Sequence, residues 1–465
     1  MDTSVSPTER SEAMAASGVV TGRWPAGSGE YGPLYKPVGT AGRSFTLIVS
    51  VLAGFILLGI AAYVYQWRNG LGVTGLSRQI FWGVYITNFV FFIGISHAGA
   101  LIAAILRISK AEWRRPITRA AELTTVLALS LGVLNVIFDM GRPDRLFNII
   151  RYPQPQSPLV WDIIAVTIYF TASCSYLYLA LIPDIAFLRD HGTKPKWLYQ
   201  ILSVGWNGTE KQLRIFKKAS FFMAILVVPI AVTVHTVISF IFAMTIQPMW
   251  HSAILAPYFV TGAIFSGIAA IILAMAVVRK AYRLENYVKP AHFNNLGILL
   301  MVMALLWLYF TIAENLTAFY GREPADMTIF WNKLVGAYAP HHWAMFVLCF
   351  IIPFPILCLR RTRAVLGTSV ASVSVLIGMW LERYTIIVPT LTSQRLALGQ
   401  PVYFPTWVEW SILAACISFF ILLFMVFTKI FPVISISEIR EGEHEALADF
   451  RERLETYFPG KPIKS

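Results

Sequence analysis

Long apolar runs alternate with shorter polar linkers along most of the chain. A helix of about 20 apolar residues spans the ~30 Å hydrocarbon core of a bilayer. Ten runs of roughly this length or more occur, at Ser44–Trp67, Phe81–Leu106, Ala120–Asp139, Val160–Pro183, Ala219–Met244, Ala256–Val278, Phe293–Phe319, Tyr338–Leu359, Ala364–Val388 and Val408–Phe431. The pattern predicts an all-α polytopic membrane protein with about ten transmembrane helices.

A short motif occurs at the ends of two of these predicted helices. The sequence NVIFDMGRPD begins at Asn135, and NLTAFYGREPAD begins at Asn315, 180 residues later. In both copies Gly and Pro are typical of a helix end followed by a turn. Chance is an alternative explanation for so short a match, but a true repeat predicts two related four-helix bundles in the same orientation.

The repeat divides the chain into six predicted parts. These are an N-terminal arm, a first membrane helix, a bundle that holds the functional site, a second bundle, a tenth helix and a C-terminal tail. Their expected ranges are 1–43, 44–67, 81–244, 256–388, 408–431 and 432–465. The first and tenth membrane helices are therefore expected to be peripheral to the two bundles.

Composition supports a membrane protein and helps to orient it. The chain is 57% hydrophobic and only 14% charged, against about 25% charged residues in a soluble domain. Its formal charge of +13 does not indicate nucleic-acid binding, because Lys and Arg collect in the cytoplasmic loops of membrane proteins. The distribution of basic residues predicts that both termini are cytoplasmic, so the motif at Asn135 is expected at the outer face.

The cysteines and histidines limit the redox groups that this chain is expected to bind. The four cysteines form no CxxC or CxxCH motif, so we expect neither a c-type haem nor an iron–sulfur cluster in this chain. Only His97 and His235 could form an axial pair for haem b, and haem is not the favoured interpretation. No metal site is predicted.

Four ionisable residues in or beside the apolar runs of the first predicted bundle are singled out as candidate quinol-binding residues: His97, Asp139, Asp162 and His235. Such groups inside a membrane are costly and are candidates for function. Oxidation of a quinol needs proton acceptors for two hydroxyl groups, together with apolar walls for the ring and tail. His97 and Asp139 are the predicted acceptors, and Arg142 or Arg145 could hold Asp139 ionised. A structural salt bridge at the helix end is the alternative.

The second predicted bundle has its own ionisable groups. We consider six residues, one of them in the loop after Asp139, as a candidate proton route: Asp144, Glu314, His341, His342, Glu382 and Arg383. Adjacent Glu382 and Arg383 are equally consistent with a buried structural ion pair. For Asp144 a structural pairing is slightly favoured.

Several motifs resemble one known family of membrane proteins. They are GISHAGALIAAILRI, FDMGRPDRLFNIIRYPQPQSPLVWD, the NGTEK loop and VHTVISFIFAM. The chain resembles the NrfD/PsrC family of quinone-interacting membrane subunits, and above all the ten-helix ActC type of alternative complex III. The resemblance covers most of the chain from the first to the tenth helix, and its motifs are more specific in the first bundle.

The resemblance implies a function and a set of partners. It implies a quinol site near the outer face, formed by His97, Asp139 and Asp162 with Arg142 nearby, and menaquinol fits as the substrate. The implied partners are an iron–sulfur protein, multihaem cytochrome c subunits and a second NrfD-like membrane subunit. The implied location is the bacterial cytoplasmic membrane.

Three functions remain open from the sequence. The leading hypothesis is a quinol-oxidising subunit of alternative complex III, with proton translocation as an additional role. A second is the quinone-reducing anchor of a molybdenum oxidoreductase of the polysulfide reductase type. A secondary transporter is a third, although repeats in transporters are often inverted, with broken helices.

Overall fold

The computed structural model describes residues 32–40, 42–392 and 402–457, which are helical and contain no strand. We number its long helices α1 to α11. Their bounds are Arg43–Asn69, Val84–Ile108, Thr118–Asp139, Pro158–Asp190, Glu210–Ala243, Leu255–Tyr282, Pro290–Gly321, Ala339–Cys358, Val365–Thr392, Trp407–Ile430 and Ile436–Tyr457. Helix α8 is interrupted by a π-helical segment at Val347–Ile351. Shorter helices occur at Gly32–Tyr35, Leu71–Val73, Glu112–Arg114, Pro143–Arg145, Asn148–Arg151, Lys196–Leu202 and Pro324–Leu334.

Helices α1 to α10 are each long and apolar enough to cross a membrane. The predicted all-α polytopic fold with ten spanning helices is therefore confirmed. Helices α4, α5 and α7 have 33, 34 and 32 residues and are longer than the predicted apolar runs. In α5 the added turns, Glu210–Lys218, are mostly polar, because a helix continues beyond the hydrocarbon wherever capping and hydrogen bonding allow.

Eight of these helices form two closed rings. In the first, α2 contacts α3 and α5, and α4 also contacts both. In the second, α6 contacts α7 and α9, and α8 also contacts both. The rings meet where α2 and α5 pack on α6 and where α2 packs on α9. We propose that the two rings are the two repeats of the chain.

Small residues allow close approach at the main helix contacts. A Cβ atom at Gly267 of α6 would lie 2.1 Å from the Cβ of Ala98 in α2, and one at Gly59 of α1 would lie 2.2 Å from that of Ala415 in α10. Membrane helices associate through such contacts because apolar side chains gain little by leaving lipid. Helices α1 and α10 pair with each other, and α10 also contacts α3 and α2.

Helix ends lie at two opposite faces of the molecule, which we name by one residue each. The Asp139 end contains the C-terminus of α3 and the N-termini of α4 and α10. The Glu438 end contains the C-terminus of α2, the N-terminus of α3 and the start of α11. The prediction that the Asp139 end faces outwards rests on charge distribution and stays a prediction.

The predicted terminal segments contribute to the Glu438 end. Most of the predicted arm, residues 1–31 and 41, lies outside the described residues. Within its described part, Leu34 and Val38 are buried, and the Gly39 N–H donates to the carbonyl of Lys429 at 2.9 Å. The predicted C-terminal tail contains α11, and residues 458–465 lie outside the described residues.

Candidate functional site

A buried hydrogen-bond network joins α1, α2 and α3 at the Asp139 end. The side chain of Gln66 in α1 donates from Nε2 to the backbone carbonyl of Phe138 at 2.8 Å, and its Oε1 accepts from the Tyr85 hydroxyl at 2.5 Å. Gln66 is 2% exposed and Tyr85 is fully buried. Because lipid offers no hydrogen bonds, such polar atoms need internal partners, and this network holds α1 and α2 against the last turn of α3.

Glu409, in the first turn of α10, is a fully buried carboxylate with partners on both oxygens. Its Oε2 accepts from the N–H groups of Gly75 at 2.8 Å and Thr406 at 2.9 Å, and its Oε1 accepts from the Tyr403 hydroxyl. Burial raises the pKa of Tyr403, and the nearby charge of Glu409 raises it further. The phenol therefore stays protonated and remains a donor to Glu409.

Asp139 is the last residue of α3. Its Oδ1 atom is buried and has no hydrogen-bond partner, and Glu409 and Tyr85 are its electrostatic neighbours. The C-terminus of a helix carries partial negative charge and disfavours a carboxylate. The position of Asp139 is therefore energetically costly for an ionised carboxylate, and no hydrogen bond to Oδ1 offsets that cost. This favours a functional over a structural role.

An apolar cleft of ≈240 Å³ lies between α1, α3 and α10. Its walls include Tyr63, Leu134, Phe138, Ile412 and Cys416. Each polar residue described above lies close in the chain to a wall residue of the same helix. Gln66 is three residues after Tyr63, Asp139 is one after Phe138 and Glu409 is three before Ile412. Each of the three helices thus supplies one polar side chain near the same end of the cleft.

The remaining residues predicted at the outer face are placed apart from this network. Asp162 is in the second turn of α4, and its buried Oδ1 has no hydrogen-bond partner. Arg142 is exposed, and its guanidinium lies 3.4 Å from the carboxylate of Asp144. The prediction that Arg142 holds Asp139 ionised is therefore not supported by the observed ion pair. The loop after α3 turns the Arg142 side chain towards water and towards Asp144 instead.

His97 and His235 meet in the middle of the first ring. Their ring centroids are 4.5 Å apart at an interplanar angle of 64°, which leaves no space for a porphyrin between them. His97 also stacks on Tyr169 at 4.8 Å, and its Nδ1–H donates to the Ile93 carbonyl at 2.8 Å. The His235 Nε2–H donates to the Phe259 carbonyl at 2.9 Å, while its buried Nδ1 has no partner.

The structure does not bring His97 and Asp139 to one ring-sized site, and the prediction of a shared site is corrected here. The Thr125 hydroxyl donates to the carbonyl of Ser96, so His97 is level with Thr125 of α3. Asp139 is 14 residues further along α3, which at ~1.5 Å per residue is a separation of about 20 Å. A single quinol ring cannot contact both residues.

A buried ion pair connects the first ring to the second. Arg383 Nη1 lies 3.0 Å from Glu382 Oε2 within α9, and both side chains are essentially unexposed. Arg383 Nη2 donates at 3.4 Å to the carbonyl of Phe259, which also accepts from His235. This one carbonyl therefore links the histidines of the first ring to the charged pair of the second.

A small polar cavity of ≈40 Å³ lies further along the second ring, towards the Asp139 end. It is lined in part by Tyr258, Glu314, Lys333 and His342, and this volume is enough for a few water molecules. Ser252 donates to Glu314 at 3.0 Å. Burial lowers the pKa of Lys333 to about 8, so this amine can lose its proton near neutral pH.

His341 and Asp144 are the predicted route residues that belong neither to the cavity lining nor to the Glu382–Arg383 pair. The His341 ring stacks on that of Tyr384 with 5.2 Å between centroids, and its buried Nδ1 has no partner. Asp144 is an exposed residue paired with Arg142. Of the six residues predicted as a route, the structure thus brings two to the cavity and two into the Glu382–Arg383 pair.

Several buried polar residues were not singled out from the sequence, among them Gln66, Glu122, Lys333 and Glu409. Both carboxylate oxygens of Glu122 are buried without partners, so this residue is also costly to place. Glu122 and Glu409 lie in otherwise apolar runs, and the rule that ionisable residues in membranes are functional candidates could have identified them. Gln66 and Lys333 lie near helix ends, where sequence gives no signal of burial.

The fold and site define a class of protein: an all-α polytopic membrane protein with an apolar cleft and a buried polar network at one end. Residues 72–393 match the model of the family described as "Polysulphide reductase, NrfD". The chain belongs to this family.

Three relatives have names that describe membrane oxidoreductases. The chain is 28% identical over 357 residues, 75% of this chain and 78% of the relative, to a putative dimethyl sulfoxide reductase membrane subunit of Halobacterium salinarum. It is 24% identical to a selenate reductase subunit of Mesobacillus selenatarsenatis, over 83% of this chain and 94% of the relative. It is 23% identical to the Hdr-like menaquinol oxidoreductase integral membrane subunit of Archaeoglobus fulgidus, over 88% and 98%.

Proposed function

We propose that this chain is the quinol-binding membrane subunit of a multisubunit oxidoreductase, and that the quinol ring binds beside Asp139. The observation that carries the proposal is the apolar cleft between α1, α3 and α10, which has Gln66, Asp139 and Glu409 near one end. Apolar walls with a few convergent polar groups are typical of small-molecule sites. A cleft walled by lipid-facing helices also suits a substrate that enters from the membrane.

The chemistry assigned to this site is the oxidation of a quinol to a quinone with loss of two electrons and two protons. The Oδ1 atom of Asp139 lacks a partner, and an ionised carboxylate there accepts the proton of one hydroxyl group. The proton of the other hydroxyl group passes to water at the Asp139 end, where the loop after α3 is exposed. Glu409 and Gln66 already have partners and therefore orient the ring rather than accept its protons. The electrons pass to an iron–sulfur partner subunit. The relative named as a menaquinol oxidoreductase subunit supports menaquinol as the substrate.

We favour two alternative settings for this reaction. In the first, the chain is the ActC-type subunit of alternative complex III, with an iron–sulfur protein, multihaem cytochrome c subunits and a second NrfD-like membrane subunit as partners. In the second, it is the anchor of a molybdenum oxidoreductase, which the relatives named as dimethyl sulfoxide and selenate reductase subunits support. Purification of the native complex separates them, since multihaem cytochromes favour the first and a molybdenum subunit favours the second.

We also assign proton transfer to the interior polar residues. His97, His235, Arg383 and Glu382 form a line from the first ring into the second, which the cavity with Glu314 and His342 continues towards the Asp139 end. In vesicles containing the complex, Glu382→Gln is expected to retain quinol oxidation and the protons that the quinol itself releases, and to lose the additional protons that the route moves across the membrane. Unchanged proton release in this variant would remove the route.

The quinol site is tested with Asp139→Asn in the purified complex, using a soluble menaquinol analogue. Loss of a general base lowers rates by about 10²- to 10⁴-fold, so turnover is expected to fall at least about 100-fold while the complex still assembles. Asp190→Asn, an exposed substitution at the Glu438 end, is the matched control with unchanged turnover. If His97→Ala abolishes turnover and Asp139→Asn does not, the quinol binds in the middle of the first ring of helices, beside His97.

A further inference from the structure

Two loops meet at the Asp139 end of the second ring. Residues 244–254 connect α5 to α6, and the other segment leads from α7 into the helix Pro324–Leu334. His251 lies in the first loop, and its Nε2 is 3.6 Å from Glu323 Oε2 and 3.8 Å from Asp326 Oδ2. One ligand atom from each of the three side chains lies within 4.8 Å of the others.

The hydrogen bonds around this triad leave its ligand atoms free. The His251 Nδ1–H donates to the Gln247 carbonyl at 3.0 Å, so the neutral ring has its Nε2 lone pair directed at the carboxylates. The Gln247 side chain is itself held by a 2.8 Å hydrogen bond to the Thr390 carbonyl. Metal-binding histidines are usually oriented by such a bond from the other ring nitrogen. Asp326 uses Oδ1 to accept from the Met249 N–H at 2.7 Å and keeps Oδ2 available.

The spacing of the three atoms suits a small divalent cation. Zn²⁺ binds His nitrogen and carboxylate oxygen at about 2.0–2.2 Å, and a tetrahedron of such bonds has edges of about 3.3–3.5 Å. The two separations from His251, 3.6 and 3.8 Å, need to shorten by only a few tenths of an ångström, and the Glu323 and Asp326 oxygens lie within 4.8 Å of each other. An imidazole with two carboxylates suits Zn²⁺ better than Ca²⁺ or Mg²⁺, which prefer oxygen ligands alone.

We propose that His251, Glu323 and Asp326 form a binding site for Zn²⁺, with water as the fourth ligand. The side chains of His251 and Glu323 are 37% and 52% exposed, so an ion can reach the site from solvent. The bound ion joins the α5–α6 loop to the segment after α7. This site is separate from the proposed quinol site, because none of its three ligands belongs to the cleft between α1, α3 and α10.

An ordinary ion pair between His251 and the two carboxylates is the competing explanation. It predicts that these three residues bind no Zn²⁺, so measurement of Zn²⁺ binding separates the two explanations.

The test is Zn²⁺ binding to the purified complex after chelator treatment, followed by calorimetry and by metal analysis. We expect one more Zn²⁺ per complex for the wild type than for His251→Ala. Glu323→Gln is the decisive variant, because the Glu323 side chain makes no described hydrogen bond. Its replacement is therefore not expected to disturb folding. It is expected to weaken binding by about tenfold or more.

Glu285→Gln is the matched control, an exposed carboxylate outside both loops, and it is expected to leave Zn²⁺ affinity unchanged. Equal Zn²⁺ content and affinity in the wild type, His251→Ala and Glu323→Gln would overturn the site. Failure of the wild-type complex to bind Zn²⁺ at pH 8 would overturn it as well. Neither outcome bears on quinol oxidation, which is measured separately.

Discussion

Several carboxylates at one end of the molecule are paired with arginine, whereas two at the other end keep an oxygen without a partner. At the Glu438 end, the carboxylate of Glu438 pairs with Arg107 and Arg114, and that of Asp184 lies 3.0 Å from Arg119. At the Asp139 end, Asp139 and Asp162 each keep a buried oxygen without a partner. Pairing with arginine makes the first group structural, whereas the second group retains the capacity to bind a ligand or accept a proton.

The pairs at the Glu438 end also attach the C-terminal helix. Asp184 accepts from the backbone N–H groups of Ile436 and Ser437 at 3.3 and 2.9 Å, just where α11 begins. Glu122 is the exception at this end, because both its oxygens are buried without partners. The comparison therefore predicts lost stability from substitutions at the Glu438 end and lost function from substitutions at the Asp139 end.

The largest expected effect on stability is that of Arg119→Met. Arg119 and Asp184 are 2% and 0% exposed, and removal of one partner from a buried pair costs about 3–5 kcal/mol. Thermal unfolding of the detergent-solubilised protein measures the loss. The double variant Arg119→Met with Asp184→Asn is expected to recover part of it. A wild-type melting temperature for Arg119→Met would contradict the structural role of these pairs.

Lys333→Met tests the expectation that a substitution at the Asp139 end does not lower stability. Burial holds the pKa of Lys333 near 8, below the ordinary value of about 10.4. The unfolded chain therefore binds more protons between these two values, so stability rises with pH across that window. The methionine variant should be more stable than the wild type at pH 7 by a few kcal/mol, and the gain should disappear above about pH 10. Lower stability of Lys333→Met than of the wild type at pH 7 would contradict the proposed difference between the two ends.

Leu134→Trp fills the apolar cleft next to Asp139. A larger side chain there is expected to raise the KM for the menaquinol analogue about tenfold, or ~1.4 kcal/mol, with a smaller change in kcat. Val133→Trp is the control, because Val133 is 37% exposed on the same helix and does not line the cleft. Equal KM values for the two variants would place the substrate outside the cleft.

The smallest expected effect is the pH dependence at Glu438. Burial alone would raise the pKa of Glu438, but the charges of Arg107 and Arg114 outweigh it and lower the pKa. A lowered pKa gives stability that is fully present above the ordinary value of about 4.3 and is lost as pH falls through the lowered one. Protease cleavage within α11 should therefore increase on acidification below about pH 4.3 in the wild type. Glu438→Gln should show less pH dependence over the same range.

Much of the architecture could be predicted because it depends on local properties. A run of apolar residues long enough to cross a bilayer must be helical, since lipid leaves backbone groups no other partners. The ten spanning helices follow from this, and the motif that begins at Asn135 does mark the end of α3 at Asp139. The sequence also indicated which ionisable residues are costly to bury, including His97 and His235, because few occur within the apolar runs.

The partners of those residues were not predictable, because they are set by how the helices pack. Gln66, Asp139 and Glu409 are separated by 73 and 270 residues, and only the packing of α1 and α10 against α3 places them near one cleft. Arg142 and Asp139 are three residues apart, yet the turn after α3 directs Arg142 to Asp144 instead. Likewise, the register of α3 on α2 separates His97 from Asp139 by about 20 Å.

By itself, therefore, the sequence determined the ten spanning helices and the small set of ionisable residues inside them. Apolar length and the cost of burying charge are both properties of a segment and its solvent. Only the tertiary structure decided which of those residues are paired, which keep a free oxygen and which meet at the cleft. Most of those outcomes depend on distances between helices, and therefore on residues that are remote from one another in the chain.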